Sequence, residues 1–547
     1  MLTRSFAGAA VLVVLSVVLA GCPDDGYPPV PCPPACYSLD KDASGVLEKV
    51  NNIANLTVVS RDENDLRAEY RAGFVQGKLQ GRTVLSTRDN TWNSSYLLDP
   101  GHTFPKQPVP TRDELDKVAA LLNQNYAYLI NFLRTMEDAD TAHKLSRLLF
   151  RMLGIYHGAN LDHPEELDFS GDWLPDPASF PEAELSLGYE TPTLSFMDLY
   201  FINAYCDVMD VISFSGEKAA EGRRIEKCSG FVKRTADDVL ITHNSWYSFL
   251  SQTMGQTIMV NGDFMTCNAI SAGLVGSNAD FGYNNKGILF NETTHRSSQS
   301  VTRTDAIWIF WRATLAEQFS TSIDDFFRYI SLDNSGTYLN GYMVVDAKNS
   351  ETALVEMSYR CFVFYRSLGG PYTVTTKPEG FSTEYDPEIV TPGYIMGINF
   401  PASYQVRDDL KSTDNRPARR VQFKELLPGV NTVEDAKRVI TYTDPENPLS
   451  IYGRWDLGYG ETDYPKMVPD GSIDAKAAAA SMALASMNLE GKLDRTSGNR
   501  GIWMRYGTPH VNGHPFIWSR SSWSWQKLRD VPNVVDGAFT WLHLNLR

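Results

Sequence analysis

The spacing of hydrophobic and polar positions changes partway along the chain. Before residue 228 the apolar positions mostly recur at three- and four-residue steps, which is typical of amphipathic helices. After it, short β-rich runs such as "DDVLITHNS", "AISAGLVGS", "GYMVVDA", "TALVEMS" and "CFVFYRS" alternate with helical patterns such as "RTDAIWIFWRATLAEQF". Many strands with interspersed helices in one long block predict an α+β fold built from layered sheets.

Two long helices are predicted before that change. The segment "TRDELDKVAALLNQNYAYLINFLRTM" begins with Thr111, a residue type that caps helices, and continues with an acidic first turn. The segment "TPTLSFMDLYFINAYCDVMDVI" is apolar enough for a buried helix. A polar linker, "SFSGEKAAEGRRIEK", follows. It separates a mainly helical part, residues 41–227, from a β-rich part, residues 228–547.

The first 21 residues have the organisation of an export signal. "MLTR" is positively charged, "SFAGAAVLVVLSVVLA" is an apolar run of signal-peptide length, and "LAGC" resembles the lipobox of bacterial lipoproteins. This pattern predicts acylation of Cys22 and anchoring at a membrane surface outside the cytoplasm. A plain secretory signal, for a secreted protein or a lysosome-like compartment, is the alternative. Residues 22–40 are Pro-rich and are predicted to form a tether.

Composition and charge narrow the range of partners. Of the 547 residues, 43% are hydrophobic and 21% are charged, which is usual for a soluble globular protein. The formal net charge of -16, without any basic run longer than "RR", argues against a nucleic-acid partner. The aromatic fraction of 12% is high and favours aromatic packing around an apolar ligand.

No metal site or cofactor is predicted. The cysteine pair in "CPPAC" has no histidine or second cysteine pair nearby, so a disulfide is favoured over zinc. In "HVNGH" the glycine, and the proline that follows, disfavour the helix on which a zinc-binding histidine pair needs to lie. The glycine-bearing "GLVGSNADFG" lacks the spacing of a nucleotide-binding loop.

Cys228 stands between the polar linker and the first predicted strand of the β-rich part. The run "CSGFVKRTADDVLITHNSW" is typical of a hairpin and brings His243 towards this thiol. If the chain is cut before Cys228, the new α-amine, with a pKa of about 7.7–8.0, can accept the thiol proton. The thiol itself can make the cut by attacking the preceding carbonyl. The alternative is a buried structural cysteine with a strand-end histidine.

The same segment resembles the phospholipase B-like family of exported N-terminal-nucleophile hydrolases. The matching residues are "CS" at 228–229 and, after a turn shorter than the family's, "DVLITHNSW". Further blocks follow in the family's order: "INAYCDVMDV" before the linker, then "SAGLV", "NSGTYLNGYMVVD", "GINFP", "PARRVQF" and "IYGRWDL". The resemblance covers most of the chain after the tether. It implies a four-layer αββα fold and self-cleavage between Lys227 and Cys228.

The resemblance also implies roles for individual residues. Cys228 matches the nucleophile, and His243 and Trp246 match the histidine and tryptophan that line the site. Asn399, in "GINFP", matches an asparagine that donates to the oxyanion of the tetrahedral intermediate. Arg419 matches a site arginine by its distance from Phe423, although Arg416 and Arg420 lie close by in the sequence.

One side of the expected site departs from the family pattern. Asn278, in "LVGSNADFG", resembles a second asparagine found in related amide hydrolases and is a candidate for substrate binding. The family has a hydroxyl-bearing residue in this region, but Asp280 falls about there in this chain. Substrate contacts on this side are therefore expected to differ from the family's.

The resemblance implies a hydrolase that removes acyl chains from phospholipids or related lipids through a Cys228 acyl-enzyme. An amidase acting on N-acyl lipids, small amides or peptides is the alternative, because a thiol with an amine base suits amides equally well. A non-catalytic surface-binding lipoprotein is a third interpretation, and it requires no cleavage before Cys228. The expected partners are a lipid or acylated small molecule and, through the anchor, a membrane surface.

Overall fold

The computed structural model describes the chain from residue 35 to residue 547, with some gaps. Within that range it leaves out 51–52, 98–109, 171–172, 216–227, 252, 296, 415–416, 445–448, 454–469, 488–500, 508–515, 521–533, 536–540 and 546–547. The helices in the described residues are α1 (Asp65–Leu97), α2 (Arg112–Thr135), α3 (Ala139–Asn160), α4 (Phe196–Ser215), α5 (Ile309–Phe319), α6 (Ile323–Ile330), α7 (Tyr404–Leu410), α8 (Ala418–Leu426), α9 (Val433–Ile440) and α10 (Ala480–Met487).

The strands are numbered in chain order. They are β1 (Ala35–Ser38), β2 (Ala43–Val50), β3 (Ile53–Ser60), β4 (Cys228–Arg234), β5 (Val239–Ser248), β6 (Met254–Val260), β7 (Phe264–Ile270), β8 (Phe281–Asn284), β9 (Ile288–Thr294), β10 (Asn340–Asp346), β11 (Glu351–Met357), β12 (Phe362–Ser367), β13 (Thr373–Lys377), β14 (Val390–Thr391), β15 (Tyr394–Gly397), β16 (Asp470–Ser472), β17 (Asp474–Ala479), β18 (Gly501–Tyr506), β19 (Phe516–Ile517), β20 (Val534–Val535) and β21 (Leu542–Asn545).

Two large sheets organise these strands. In the described residues the first sheet has eleven strands in the order β1-β2-β3-β6-β7-β8-β9-β10-β11-β12-β13. The second sheet has the order β14-β15-β4-β5-β17-β18-β21, with β16 also paired to β5. Neighbouring strands are antiparallel except for the parallel pair β3–β6. This mixed architecture of helices and sandwich-like sheets agrees with the predicted α+β class.

The two sheets pack face to face at a pair of glycines. Gly397 of β15 lies opposite Gly230 of β4 in the second sheet. A Cβ on Gly397 would lie 2.5 Å from Cε of Met343, and one on Gly230 would lie 3.1 Å from Nδ2 of Asn291, both in the first sheet. A side chain at Gly397 would therefore force Met343 and Thr293 to shift, and one at Gly230 would crowd Asn291, so the sheets pack closely at this point. Helices α1, α5 and α6 pack against the first sheet, and α9 and α10 pack against β5 and β17 of the second.

Several local predictions are confirmed. Helix α2 begins after Thr111, whose side chain and Glu114 form a reciprocal capping box. Helix α4 and strands β5, β10, β11 and β12 lie in the segments where the patterns placed them. The strand predicted from "AISAGLVGS" is wrong beyond Ile270, because the chain turns there and Gly273 has a φ of +86°. A left-handed conformation of this kind ends an extended strand and is available mainly to glycine.

Three strands precede the first helix, and the helical spacing of this part did not indicate them. Strand β1 lies within the segment predicted as a tether and pairs with β2. Strand β3 pairs in parallel with β6 over the registers Asn55↔Gly255 to Ser60↔Val260. The parts before and after residue 228 therefore share one sheet. The division of the chain at that residue stays a prediction.

Some predicted features lie outside the described residues. They include the signal segment with the lipidation residue Cys22, and most of the linker, residues 216–227. Within the part of the chain that the structure describes, no helix combines the length and the apolar character needed to cross a bilayer. Export, lipid anchoring and cleavage before Cys228 therefore remain predictions.

Candidate active site

Cys228 begins strand β4 and lies in the wall of a cavity. Its side chain is only 4% exposed, and it pairs with Ser245 of β5 across the second sheet. The cavity has a volume of about 90 Å³ and lies between this strand pair, helices α1 and α4, and the segment around Asp280. The thiol is thus buried from bulk solvent but borders a space that a small group can occupy.

Asn399 and Arg419 bind the backbone of Cys228. The Cys228 N–H donates to Oδ1 of Asn399 at 3.1 Å. Nη1 of Arg419 donates to the Cys228 carbonyl oxygen, and also to Oδ1 of Asn399 at 3.0 Å and to Oγ of Ser229 at 3.1 Å. The two residues that resemblance placed in the site therefore meet at the nucleophile candidate, although 171 and 191 residues separate them from it.

The backbone and contacts of Asn399 orient its amide. It follows β15 with a φ of +60°, in the left-handed region that asparagine tolerates better than most residues. Its Nδ2 donates to the Thr294 carbonyl at 2.7 Å, while its Oδ1 accepts from Cys228 and Arg419. Because two donors face Oδ1, this orientation is the one that the hydrogen bonds require. The predicted donation from Asn399 to an oxyanion stays a prediction.

Arg419 rests on Trp246. The guanidinium carbon lies 4.8 Å from the tryptophan ring centroid, a cation–π distance, and Nη2 donates to the Ile398 carbonyl at 2.9 Å. The neighbouring Arg420 instead pairs with Asp386 and Asp414. The other alternative, residue 416, lies outside the described residues. Among the described arginines, Arg419 is the one whose side chain binds Cys228 directly.

Cys228, His243 and Asp280 converge within the core. Sγ of Cys228, a ring nitrogen of His243 and a carboxylate oxygen of Asp280 all lie within 4.8 Å of one another. Burial raises the pKa of the Cys228 thiol well above its usual value, and the nearby Glu292 and Asp280 carboxyls add to this. Burial, and then the charge of Lys476, lower the pKa of His243 well below its usual value. The site therefore favours a neutral thiol beside a neutral imidazole.

The same three side chains have the chemistry of metal ligands. Cysteine, histidine and aspartate are the residue types that hold zinc in proteins. The sequence contains no recognised metal motif around them, because Asp280 lies in a turn outside the hairpin that carries Cys228 and His243. The predicted absence of a metal stays a prediction, and the geometry marks Cys228, His243 and Asp280 as the group that can hold one.

A carboxyl pair beside the thiol was not predicted. Asp280, at the turn before β8, lies next to Glu292 of β9, and both are buried. Burial raises the pKa of each carboxyl, and for Glu292 the neighbouring Asp280 raises it further. Two carboxyl groups in contact hydrogen-bond once one of them carries a proton. This side of the site therefore holds an acidic pair where the family pattern leads one to expect a hydroxyl.

A buried ion pair, Lys476 and Asp474, lies in β17 next to strand β5. Nζ of Lys476 lies 2.6 Å from Oδ1 of Asp474 and donates to Oγ of Ser245 at 2.7 Å and to the Ala279 carbonyl at 2.8 Å. Lys476 also lies opposite His243 in the register of β17 and β5. The sequence carries a signal for this pair. "DAKAAA" places two charges at two-residue spacing in an otherwise apolar strand, hence on one face.

Asn278 lines the cavity, but its side-chain amide already hydrogen-bonds to a nearby serine. Its Oδ1 accepts from the Ser271 backbone at 2.8 Å, and its Nδ2 donates to Oγ of the same serine at 3.0 Å. These bonds close the turn after β7. The predicted role of Asn278 in substrate binding stays a prediction.

Helix α1 supplies a cavity wall that was also not predicted. Gly81 interrupts its helical geometry, and the part that follows lines the cavity with Thr83, Ser86, Thr87, Asn90 and Thr91. Threonines at steps of four residues lie on one helix face. That spacing is visible in "TVLSTRDNT", but only the fold shows that the face adjoins the thiol.

Fold and site together define a mixed α/β protein with a buried thiol at the start of a strand, next to a cavity, whose backbone is bound by an amide and a guanidinium. A comparison of the sequence with protein families identifies the family to which the chain belongs. The profile described as Phospholipase B matches residues 185–536, well over half of the chain. The chain belongs to the phospholipase B family, which confirms the resemblance seen in its motifs.

Three relatives found by sequence comparison are distant from this chain. Phospholipase B-like protein B of Dictyostelium discoideum is 21% identical over 531 residues, covering 89% of this chain and 82% of the relative. Phospholipase B-like protein G of the same organism is 25% identical over 363 residues, covering 56% of this chain and 57% of the relative. Phospholipase B of Crotalus adamanteus is 24% identical over 344 residues, covering 54% and 58%. At such identities, the residues of the site carry the functional argument.

Proposed function

We propose that this protein is an N-terminal-nucleophile cysteine hydrolase with a four-layer αββα fold, and that Cys228 becomes its nucleophile after self-cleavage at Lys227–Cys228. The observation that carries the proposal is the hydrogen bond from the Cys228 nitrogen to Oδ1 of Asn399 at 3.1 Å. Cleavage turns this amide nitrogen into an α-amine. The same acceptor then keeps the amine beside its own thiol. Family membership supports the hydrolase class.

Self-cleavage needs only the thiol and water. Sγ of Cys228 attacks the carbonyl carbon of Lys227, the C–N bond breaks, and the Cys228 nitrogen leaves as the new α-amine with the thiol proton. The resulting thioester is hydrolysed by water, which frees the thiol and gives Lys227 a carboxyl group. Arg419 holds the Cys228 carbonyl throughout, so the nucleophile keeps its position while the bond before it breaks.

Substrate hydrolysis repeats this chemistry in trans. The α-amine accepts the thiol proton as Sγ attacks the substrate carbonyl, and it then protonates the departing oxygen or nitrogen as that bond breaks. Water, deprotonated by the amine, hydrolyses the acyl-enzyme and restores the thiol. Because burial raises the pKa of the Cys228 thiol, the proton must leave at the moment of attack, and an adjacent base is required.

Asn399 has donors for both of its proposed tasks. A primary amide carries two N–H groups. One of those on Asn399 donates to the Thr294 carbonyl, which leaves the second for the oxyanion of the tetrahedral intermediate. His243 borders the thiol as a neutral imidazole, and its proposed task is to orient the thiol and amine. Trp246 positions Arg419 by stacking.

The bond that is cleaved is proposed to be an acyl ester or an acyl amide. Membership of the phospholipase B family favours an ester of a phospholipid or related lipid. The size and polarity of the cavity beside Cys228 favour an amide or ester with a small polar acyl group. The non-catalytic interpretation differs from both, since a pure binding protein needs no free amine at Cys228.

Denatured mass measurement tests the processing step. Wild type is expected as two chains separated before Cys228, and Cys228→Ala as a single chain. Cys267→Ala is the matched control, because Cys267 is also buried but lies in β7 away from the linker. If wild type remains one chain even after exposure to acid or protease, Cys228 is not the nucleophile of an N-terminal-nucleophile enzyme.

The membrane anchor is proposed from the lipobox alone. Cys22 is expected to carry acyl chains, so the mature protein should partition into the detergent phase on cloud-point separation. Cys22→Ser should release it to the aqueous phase or stall its processing. An unmodified N-terminus at another residue in a wholly aqueous wild-type protein would refute the anchor without affecting the proposed chemistry.

A further inference from the structure

The cavity beside Cys228 is lined by polar as well as apolar side chains. About half of its lining residues carry hydroxyl or amide groups, although apolar atoms supply the larger part of the lining surface. The largest polar group comes from α1 and consists of Thr83, Ser86, Thr87, Asn90 and Thr91. The opposite wall adds Asp280, the charged member of the described lining. A hydrocarbon chain placed here would cover these polar groups without satisfying them, which costs free energy.

Two of the threonines of α1 that line the cavity use their hydroxyl protons within the helix. Oγ1 of Thr87 donates to the Thr83 carbonyl at 3.0 Å, and Oγ1 of Thr91 donates to the Thr87 carbonyl at 2.7 Å. A hydroxyl has a single proton to donate, so these two groups have only lone pairs left for a ligand. A ligand group that hydrogen-bonds to either of these two hydroxyls must therefore supply the donor itself.

The size of the cavity sets a second limit. Its volume is about 90 Å³. An engineered protein cavity of about 150 Å³ holds one benzene molecule. A neighbouring cavity of about 60 Å³ shares Asn203, Cys206, Leu274, Asn278, Asp280 and Tyr338 with it, and even both volumes together only match that benzene-sized cavity. A group of a few heavy atoms fits beside the thiol, whereas a long fatty acyl chain does not.

We propose that the acyl group transferred to Cys228 is short and carries a hydroxyl or amino group, and that its donors bind the acceptors of Thr87, Thr91 and Asp280. Since the acyl carbon is bonded to Sγ in the intermediate, this group lies in the cavity that Sγ borders. The assignment rests on the hydrolase function proposed above. It narrows the substrates from fatty acyl lipids to esters or amides of small hydroxy or amino acids.

Matched substrates test this specificity. Amides of 7-amino-4-methylcoumarin with 3-hydroxybutyryl and 3-methylbutyryl groups have nearly the same shape and differ by one hydroxyl in place of one methyl. Processed wild type should hydrolyse the hydroxyacyl compound with a kcat/KM about tenfold higher or more, and a decanoyl amide more slowly than either. Equal rates for the matched pair, or a preference for decanoyl, would overturn the proposal.

Variants test whether the threonines of α1 cause the preference for the hydroxyacyl substrate. The double variant Thr87→Val, Thr91→Val keeps the side-chain shape but removes both hydroxyls, and it should reduce the tenfold preference to about threefold or less. Thr135→Val is the matched control, because Thr135 makes the same bond to the carbonyl four residues earlier, at the end of α2 and exposed to solvent. A preference unchanged in the double variant would remove these threonines from the binding site.

A labelling experiment separates failure of this specificity from failure of the proposed function. Alkylation of Cys228 by iodoacetamide is followed by mass, with 3-hydroxybutyramide or 3-methylbutyramide as protecting ligand. Stronger protection by the hydroxylated amide supports the proposal even if the coumarin amides are poor substrates. Equal or opposite protection of a cleaved, reactive protein refutes the specificity alone. A chain that is neither cleaved nor alkylated at residue 228 refutes the hydrolase function, and the specificity with it.

Discussion

The buried pair of Lys476 and Asp474 gives a prediction that depends on geometry alone. Both side chains are fully buried and 2.6 Å apart, and Lys476 also donates to Ser245 and to the Ala279 carbonyl. Lys476→Met fills a similar volume but leaves the Asp474 carboxylate in the core, where the described residues offer it the backbone N–H of Ser245 as a hydrogen-bond donor. Removing one partner of a buried ion pair costs about 3–5 kcal/mol. We expect a loss of that size in the free energy of unfolding.

The double variant Asp474→Asn, Lys476→Met should recover part of this loss, since it leaves no unpaired charge in the core. The assay is urea unfolding followed by tryptophan fluorescence for wild type, both single variants and the double variant. Lys117→Met is the matched control. Its partner Asp113 is also 2.6 Å away, but both groups are exposed, so little change is expected.

Two results would refute this reasoning. One is Lys476→Met with the same urea midpoint as wild type, which would mean that the ammonium contributes nothing beyond its packing. The other is a double variant less stable than either single variant. The register places Ser245, one partner of Lys476, opposite Cys228. Loss of the lysine should therefore also change the alkylation rate of the thiol.

Three further predictions concern Glu317, Asn399 and Gly397. Burial raises the pKa of Glu317 to about 8, so between pH 5 and pH 8 the unfolded chain loses this proton more readily than the folded protein does. The melting temperature should therefore fall from pH 5 to pH 8, and Glu317→Gln should flatten this trend. Asn399→Ala should slow turnover by about a hundred- to a thousandfold with the fold retained; undiminished activity would exclude it from the site. Gly397→Ala should cost about 1–3 kcal/mol by urea unfolding, because its Cβ meets Met343; an unchanged midpoint would contradict such close packing.

Local elements of this fold could be predicted because their signals are local. The Thr111 capping box and the β-rich runs of β10 to β12 depend on neighbours within a few residues. Strands β2 and β3 were missed because half-buried runs carry a weak signal beside long helical patterns. The position of β3 is decided by its pairing with β6, about 200 residues later in the chain, and β2 pairs with β3.

The candidate site divides in the same way. The positions of Cys228 and His243 follow from one hairpin, so the sequence pattern could bring them together. Asn399 and Arg419 were named only through resemblance, since no periodic pattern links residues so far apart. Lys476, and the pairing of Asp280 with Glu292, were missed because their importance comes from strand register and burial. Neither property can be measured along a single chain.

The parallel pairing of β3 with β6 has a consequence for how the protein unfolds. These strands lie on opposite sides of the proposed cut, so a cleaved molecule is held together by its sheet and not by a peptide bond. On denaturation it separates into two chains, and refolding becomes a second-order reaction. Its melting temperature should then rise with protein concentration, whereas that of uncleaved Cys228→Ala should stay constant. After cleavage, the stability of the protein would depend on its concentration in the same way as that of a heterodimer.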